Sequence, residues 1–301
     1  KALRGEPNTT VKVTIERLLT GEREELKIRR QRISIPSITY ADYVADGVGY
    51  IRHADFTDKC YEDMRAAILR LQSKGELKSL VLDYRNNGGG LLQSAVKVLS
   101  LFVPKGTMVV ETRGRGEKSH KFFTEYEPLL PNIPLAVLIN SNSASAAEIV
   151  AGAIQDLDRG VLIGQRSFGK GLVQQPIEFE DGSAIRLTIA RYYTPSGRCI
   201  QKPYTNGHSE EYELDLLNRY EHGEFFTQDS IKQDESHIYY TSIGRPVYGG
   251  GGIMPDHFIP RDTSHNTPYY NIVVNYAYTY QFAYTYTDKN RETLNKYKKH
   301  R

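Results

Sequence analysis

Apolar positions recur along this chain with two different periods, and the switches between them divide it into regions. Val11 to Leu18 and Glu25 to Ile33 alternate apolar with charged residues around Thr20-Gly21-Glu22, which predicts a β-hairpin. A hairpin alone is marginal in water, so this piece is expected to belong to a small β module. A connector containing Pro36 follows, from Ser34 to Tyr40. From Val48 onward strands and helices alternate. Gly49 to Arg52 reads as a short strand, and Thr57 caps a helix that carries Tyr61, Met64, Ile68 and Leu71 on one stripe and stops at Gly75. Leu80 to Asp83 reads as a buried strand ending in the turn Asn86-Asn87-Gly88-Gly89-Gly90. A helix from Leu92 to Phe102, strands at Met108–Thr112 and Leu135–Ile139, a helix from Ala146 to Gln155 and the strand Val161–Ile163 continue the repeat. Such an order predicts an α/β layer with largely parallel strands and right-handed crossovers.

After Lys170 the helical period vanishes. Val173–Phe179 and Ala184–Tyr193 are extended runs flanking Asp181-Gly182, a strong hairpin turn. Thr205 to Ser242 is polar and rich in tyrosine, without a clear period, and reads as an insertion. Gly249 to Gly252 supplies a flexible stretch, and the tail from Pro268 has the composition of one or two helices.

With 301 residues and 39% hydrophobic content, the chain buries at least one sizeable core, in one large domain or two ordinary ones. Its longest apolar runs are strand-sized, far short of the roughly 20 residues of a membrane helix. Basic and acidic residues nearly balance at 39 to 36, and only Lys298-Lys299-His300-Arg301 clusters, a distribution that does not suggest nucleic acid. Cys60 and Cys199 show no metal-ligand spacing and leave two free thiols or one bridge equally open. No signal core follows Lys1, so the chain reads as an excised fragment whose targeting information is missing.

Three stretches carry candidate chemistry. Gly164-Gln-Arg-Ser-Phe-Gly-Lys170-Gly171 falls one residue short of a nucleotide-binding loop, because Gly171 replaces the hydroxyl residue that would hold magnesium. The following segment reads as strand, not as the helix whose N-terminus would face phosphates, so no nucleotide is expected. Ser141-Asn-Ser143-Ala-Ser145-Ala-Ala-Glu148 sits at a strand-to-helix junction, where a hydroxyl lies at the positive end of a helix beside amides able to hold an oxyanion. Read alone, the same serines and Glu148 make a capping box, and three serines do not name a nucleophile. The glycine turn after Leu80–Asp83 comes beside the serine loop if the two strands share one sheet edge. Ser94-Ala-Val-Lys97 matches S-x-x-K without its companion motifs, and neither G-x-S-x-G nor H-E-x-x-H occurs.

Taken together, Leu82-Asp-Tyr-Arg-Asn-Asn-Gly-Gly-Gly-Leu-Leu92, Ser143 to Asp156 and Ser167-Phe-Gly-Lys-Gly-Leu-Val-Gln174, followed by Tyr192 to Arg198 and Gly252 to Asp256, resemble the carboxyl-terminal processing (tail-specific) serine peptidases, which carry a PDZ module and use a Ser-Lys dyad. The resemblance implies an α/β, crotonase- or ClpP-like βα-repeat protease core with an additional β-hairpin region, preceded by the C-terminal remnant of a PDZ domain. The division it implies is residues 1–34 for that remnant, 35–204 for the peptidase core, 205–248 for an insertion of unknown role and 249–301 for the rest of the peptidase region with a helical tail. A remnant of this size lacks the carboxylate-binding loop and is expected to recognise tails poorly.

Carried onto this sequence, the nucleophile is Ser145 and the general base Lys170, oriented by Gln174, with the amides of Ala146 and of Gly89 or Gly90 as oxyanion donors. The implied activity is endopeptidase cleavage of protein or peptide substrates near C-terminal tails, with no cofactor, metal, nucleotide or nucleic acid, in a bacterial periplasm or cell envelope. A homo-oligomer or regulatory partner also fits the resemblance, as does a gated dyad. One departure stands out, because the family usually has proline where this chain has Gly88. A lysine with the ordinary pKa near ~10.4 is protonated at neutral pH, so the chemistry requires a desolvated amine, with Phe168, Leu172 and Val173 as the expected apolar neighbours and activity rising with pH. The rival readings are a non-catalytic peptide-binding domain on the same fold and a nucleotide-dependent enzyme.

Overall fold

A strand covered on both faces needs an uninterrupted apolar run, and Leu80-Val-Leu82 and Leu135-Ala-Val-Leu-Ile139 supply two. In the computed structural model they lie side by side. The structure describes all residues except 1–2, 18–19, 34–35, 117–118, 205–208, 232–235 and 299–301. Leu18 of the first hairpin strand, Ser34 of the connector, parts of the insertion and most of the basic C-terminal cluster therefore lie outside the described residues. By internal contacts the chain divides into residues 36–261 and a second unit formed by 1–35 and 262–301.

The second unit holds β1 (Thr10–Glu16) and β2 (Arg23–Arg29), paired antiparallel from Thr10 opposite Arg29 to Glu16 opposite Arg23. The expected hairpin is formed. The main unit then runs β3 (Ile38–Ala45), β4 (Val48–His53), α1 (Cys60–Lys74), β5 (Ser79–Asp83), α2 (Leu92–Leu99), β6 (Met108–Gly114), β7 (His120–Phe123), β8 (Leu135–Ile139), α3 (Ala146–Asp156) and β9 (Val161–Gly164). It continues through β10 (Leu172–Glu178), β11 (Ala184–Tyr193), α4 (Ser209–Glu221), β12 (Ile238–Tyr240), β13 (Pro246–Tyr248) and β14 (His257–Phe258). The tail folds into three helices where one or two were expected: α5 (Pro268–Asn275), α6 (Tyr278–Lys289) and α7 (Arg291–Lys298). Ala277, at φ 53°, separates the first two.

A six-stranded sheet in the order β14-β9-β8-β5-β4-β3 is parallel except for β3, which runs against β4. Ile51, Leu80, Leu82, Val137, Ile139 and Leu162 from its strands pack with Met64, Ile68 and Leu71 of α1 and with Val96 and Leu99 of α2 into one core. Every residue of α3 is buried. Small side chains make that possible, since a Cβ on Gly152 would stand 2.7 Å from Thr194 Cγ2.

Met108–Thr112 reads in the sequence as part of the parallel repeat, but β6 belongs to a second, antiparallel sheet in the order β10-β11-β6-β7. Its apolar run reports that it is buried, not which strand it pairs with. In the β10–β11 hairpin, Ile177 faces Ile185 and Pro176 faces Arg186. β10 is the edge of this sheet, where a proline lacking an N–H is tolerated. Ile177, Phe179, Ile185 and Leu187 are all exposed.

The Tyr192–Arg198 and Gly252–Asp256 blocks frame the far end of α3. Arg198, 1% exposed, donates to Asp156 Oδ1 and Gln155 Oε1, both at 2.7 Å, and to the Tyr248 carbonyl at 3.1 Å. Asp256 accepts from the Leu162 amide (2.8 Å), Gln155 (2.9 Å) and Arg245 (2.7 Å), tying the start of β9 to the same frame. A buried ion pair of this kind fixes geometry more reliably than it adds stability.

Neither cysteine is bridged, and burial pushes the Cys60 thiol up to about 12. His53 is fully buried against Phe56 and Tyr84, with no partner for either ring nitrogen among the described residues. Burial lowers its pKa to about 4, opposed by the nearby Asp55 backbone and then by the Asp63 charge. A depressed histidine is neutral in the fold, so its contribution is intact above the unfolded value near ~6.5 and is lost as pH falls toward 4. The expected loss over that window is about 3 kcal/mol, and urea unfolding at stepped pH should show it in the native protein and not in His53→Leu.

Candidate active site

β5 and β8 are neighbours in the sheet, so the loops leaving their C-terminal ends meet. From β8 the chain turns through Asn140–Ala144 into α3, and Ser145 occupies the N-cap at φ 57°, ψ −116°. A non-glycine residue in that conformation costs on the order of 1–3 kcal/mol and persists only where its surroundings hold it. Strand, strained serine and helix form the same arrangement as a nucleophile elbow, although its G-x-S-x-G sequence is absent. The hold is visible: the Ala144 amide donates to the Asn87 carbonyl (2.9 Å) and the Ser145 amide to Glu148 Oε2 (2.8 Å).

The structure separates the three serines. Ser143 is fully buried and donates to the Tyr84 carbonyl at 2.8 Å, while Ser141 lines a different crevice, of about 400 Å³. Ser145 alone of the three lines a cleft of about 760 Å³ together with Gly88, Gly89, Gly90, Lys170 and Gln174. Ser94 of the S-x-x-K match is buried in α2, away from this cleft.

On the β5 side, Arg85 grips Asp83 with two nitrogens (2.9 and 2.7 Å), and Tyr50 donates to the same carboxylate. These hydrogen bonds hold Asp83 below the usual carboxylate range against the opposing effect of burial, which is the largest single influence on it. Asn87 then fixes the glycine turn, its Nδ2 donating to the His53 carbonyl and its Oδ1 accepting from the Gly89 amide, both at 2.8 Å. Of the two glycines expected as oxyanion donors, Gly89 therefore has its N–H engaged. The Ala146 amide, in the first turn of α3, donates to no other group among the described residues.

Gly89 (φ 98°) lies against the serine loop: a Cβ there would come within 2.7 Å of the Ala144 carbonyl and of Ser145 Cβ. Gly88 has no such constraint, since its φ is not in the left-handed region and space around it is open. A Cβ at this position meets no atom within 4 Å. Gly89→Ala is expected to destabilise by at least about 2 kcal/mol and to depress activity. Gly88→Ala is expected to gain roughly 0.4–1 kcal/mol by restricting the unfolded chain. Thermal unfolding of the pair checks both.

Lys170 sits on the loop between β9 and β10. Glu148, fully buried on α3, accepts from Ser167 Oγ (2.5 Å) and from the amides of Gly169 (2.7 Å) and Lys170 (2.8 Å), as well as from Ser145. One carboxylate thus ties the serine loop to the lysine loop. Burial raises the Glu148 pKa, and these four hydrogen bonds oppose the rise. The capping box read from the sequence captured only the Ser145 half of this role.

Of the apolar neighbours expected around the lysine, Leu172 lines the cleft and Val173 packs on the core. The Phe168 ring lies instead 4.3 Å from the Lys202 ammonium and beside Tyr212, on the other side of the loop. Lys170 is half-buried. Gln174 is exposed on β10 and lines the same cleft, and no hydrogen bond joins it to Lys170, or Lys170 to Ser145, among the described residues. Tyr192, which sequence reasoning did not assign to the site, is 5% exposed and lines the cleft. Burial raises its phenol pKa, offset in part by the Ser145 hydroxyl beside it.

Residues 47–210 match the sequence profile of peptidase family S41. A carboxy-terminal-processing protease of Bartonella bacilliformis is 44% identical over 203 residues, 66% of this chain and 46% of the relative. A carboxyl-terminal-processing protease of Synechocystis is 38% identical over 203 residues, 66% of this chain and 47% of the relative. The chain thus spans about half the length of these curated relatives. Among solved structures, a photosystem II D1 C-terminal processing protease superposes with a TM-score of 0.53 at 27% identity, over 85% of this chain and 57% of the other.

Proposed function

The chain belongs to peptidase family S41, and from that premise we propose that it is a serine endopeptidase with Ser145 as nucleophile and Lys170 as general base. The observation that carries this reading is the shared cleft: a strained N-cap serine and a lysine on the facing loop, both with their backbones anchored on Glu148. Lys170 Nζ takes the Ser145 Oγ proton as the oxygen attacks a peptide carbonyl. A tetrahedral intermediate forms, and its oxyanion accepts from the Ala146 amide and from Gly90 or, after release from Asn87, Gly89. The lysine returns the proton to the leaving amine, and water cleaves the resulting ester by the same route. Gln174 orients the amine from β10.

Relatives named for carboxy-terminal processing support protein substrates cut near their C-terminal tails. Action in the periplasm or envelope, and residues 1–34 as the C-terminal part of a PDZ module, belong to the same proposal. No helix among the described residues is long and apolar enough to cross a membrane. A fluorophosphonate probe is the direct test, with peptide mapping of the adduct expected at Ser145. Absence of any adduct between pH 6 and 10, in a folded full-length protein, turns the reading toward a non-catalytic peptide-binding domain.

A further inference from the structure

Lys170 stands on a loop without regular structure, so its position depends on what the loop's backbone binds. On the inner side those partners are Glu148, the Ser143 carbonyl, which accepts from the Phe168 amide at 2.9 Å, and the Ile253 carbonyl, which accepts from the Ser167 amide at 3.0 Å, while the Gly171 amide donates to Gln201 Oε1 at 3.0 Å. On the outer side they come from α4, within the insertion, and from Lys202 just ahead of it. Arg219, near the end of α4 and 5% exposed, donates to the Ser167 carbonyl from Nη1 (3.0 Å) and to the Arg166 carbonyl from Nη2 (2.9 Å). Its Nε donates to Glu224 Oε1 (2.8 Å), and Glu224 receives the Arg166 guanidinium as well, at 2.7 and 2.5 Å.

Lys202 completes the brace. Its amide donates to the Gly169 carbonyl (2.9 Å), and its ammonium passes the rings of Phe168 and Tyr212 to reach the Tyr212 carbonyl (3.0 Å) and Asp215 (3.1 Å) on α4. Two carbonyls of the lysine loop, at 166 and 167, are thereby held from α4, and a third, at 169, by the Lys202 amide just ahead of the insertion. A planar guanidinium fork suits two consecutive carbonyls, which a single ammonium cannot span. Burying so much charge beside one loop costs desolvation that a solvated turn would avoid, so the arrangement answers a need for position.

We propose that Arg219 is a positioning residue for the Ser145–Lys170 reaction: through the Arg166 and Ser167 carbonyls, α4 sets the loop so that the Lys170 amine meets the Ser145 hydroxyl. The inference rests on Lys170 being the base, so its test carries a separate Lys170 arm. In the full-length protein, Arg219→Ala, Arg219→Lys, Lys170→Ala and the native enzyme are compared by kcat and KM on a peptide substrate across pH, by fluorophosphonate labelling rate and by thermal unfolding. Arg219→Ala is expected to lower kcat per folded molecule by roughly tenfold to a hundredfold, as a displacement of about 1 Å does, with KM little changed and an altered pH profile. Added guanidinium ion is expected to restore part of the rate, and Arg219→Lys to fall between.

A merely structural Arg219 lowers the melting temperature and leaves kcat per folded molecule and the pH profile native, which overturns the proposal. Should Arg219→Ala not fold, Arg219→Lys decides on the same criteria. Lys170→Ala inactive beside a native-like Arg219 variant defeats the positioning role alone; Lys170→Ala with native turnover defeats the base and the positioning role together.

Discussion

Lys170→Ala is expected to reduce peptide hydrolysis by roughly 10²–10⁴-fold, the usual contribution of a positioned base, while leaving the melting temperature near that of the native protein. The side chain ends in the cleft and is not part of the core, so its loss leaves no large cavity. Lys170→Arg sharpens the test. Arginine keeps the positive charge but does not release its proton, so it is expected to be as inactive as alanine if the lysine acts as a base, and partly active if it only supplies charge. Ser145→Ala is expected to be equally inactive, and the double variant no worse than either single one, because the two groups act as a unit. Steady-state hydrolysis of a fluorogenic peptide, with circular dichroism on each variant, gives the answer. Native-like rates in Lys170→Arg would remove the lysine from the mechanism.

The other large effect is expected at Glu148. Its replacement by alanine deprives the Ser145, Gly169 and Lys170 amides and the Ser167 hydroxyl of their acceptor inside the protein. An unsatisfied buried group costs about 1–3 kcal/mol, so four of them amount to about 4 kcal/mol or more, a large part of an ordinary domain's stability. Glu148→Ala is therefore expected to unfold at much lower urea concentration and to lose fluorophosphonate labelling even where it remains folded. Glu148→Gln keeps the volume but turns an amide N–H toward donors already present. It is expected to fold with reduced stability and to label slowly, with both loops displaced together. An alanine variant with native stability and native labelling rate would show that the carboxylate bridges nothing of consequence.

The βα alternation was legible because strands covered on both faces and amphipathic helices leave unambiguous apolar patterns. β3 was not, since Ile38–Ala45 is only half-buried along an edge and carries polar residues throughout. α4 escaped notice for a related reason. Its inward-facing contacts are made by Tyr212, Asp215 and Arg219, so no apolar period marks the buried side. β6 was found as a strand and assigned to the wrong sheet, because burial pattern carries no information about partners. Within the site, the family-like blocks named Ser145, Lys170 and Gln174, and the fold brings all three to one cleft. The strain at Ser145 and the second role of Glu148 were hidden, since the first is a backbone torsion and the second joins residues about twenty positions apart in the chain.

The proline at position 176 has a bearing on solubility. An exposed β edge beside uncovered Ile177, Ile185 and Leu187 is the kind of seam along which copies of a protein zip together. Position 176 offers no N–H, so a strand from a second molecule laid along this rim loses a rung midway. The hairpin beside the cleft thus carries its own guard against fibre growth.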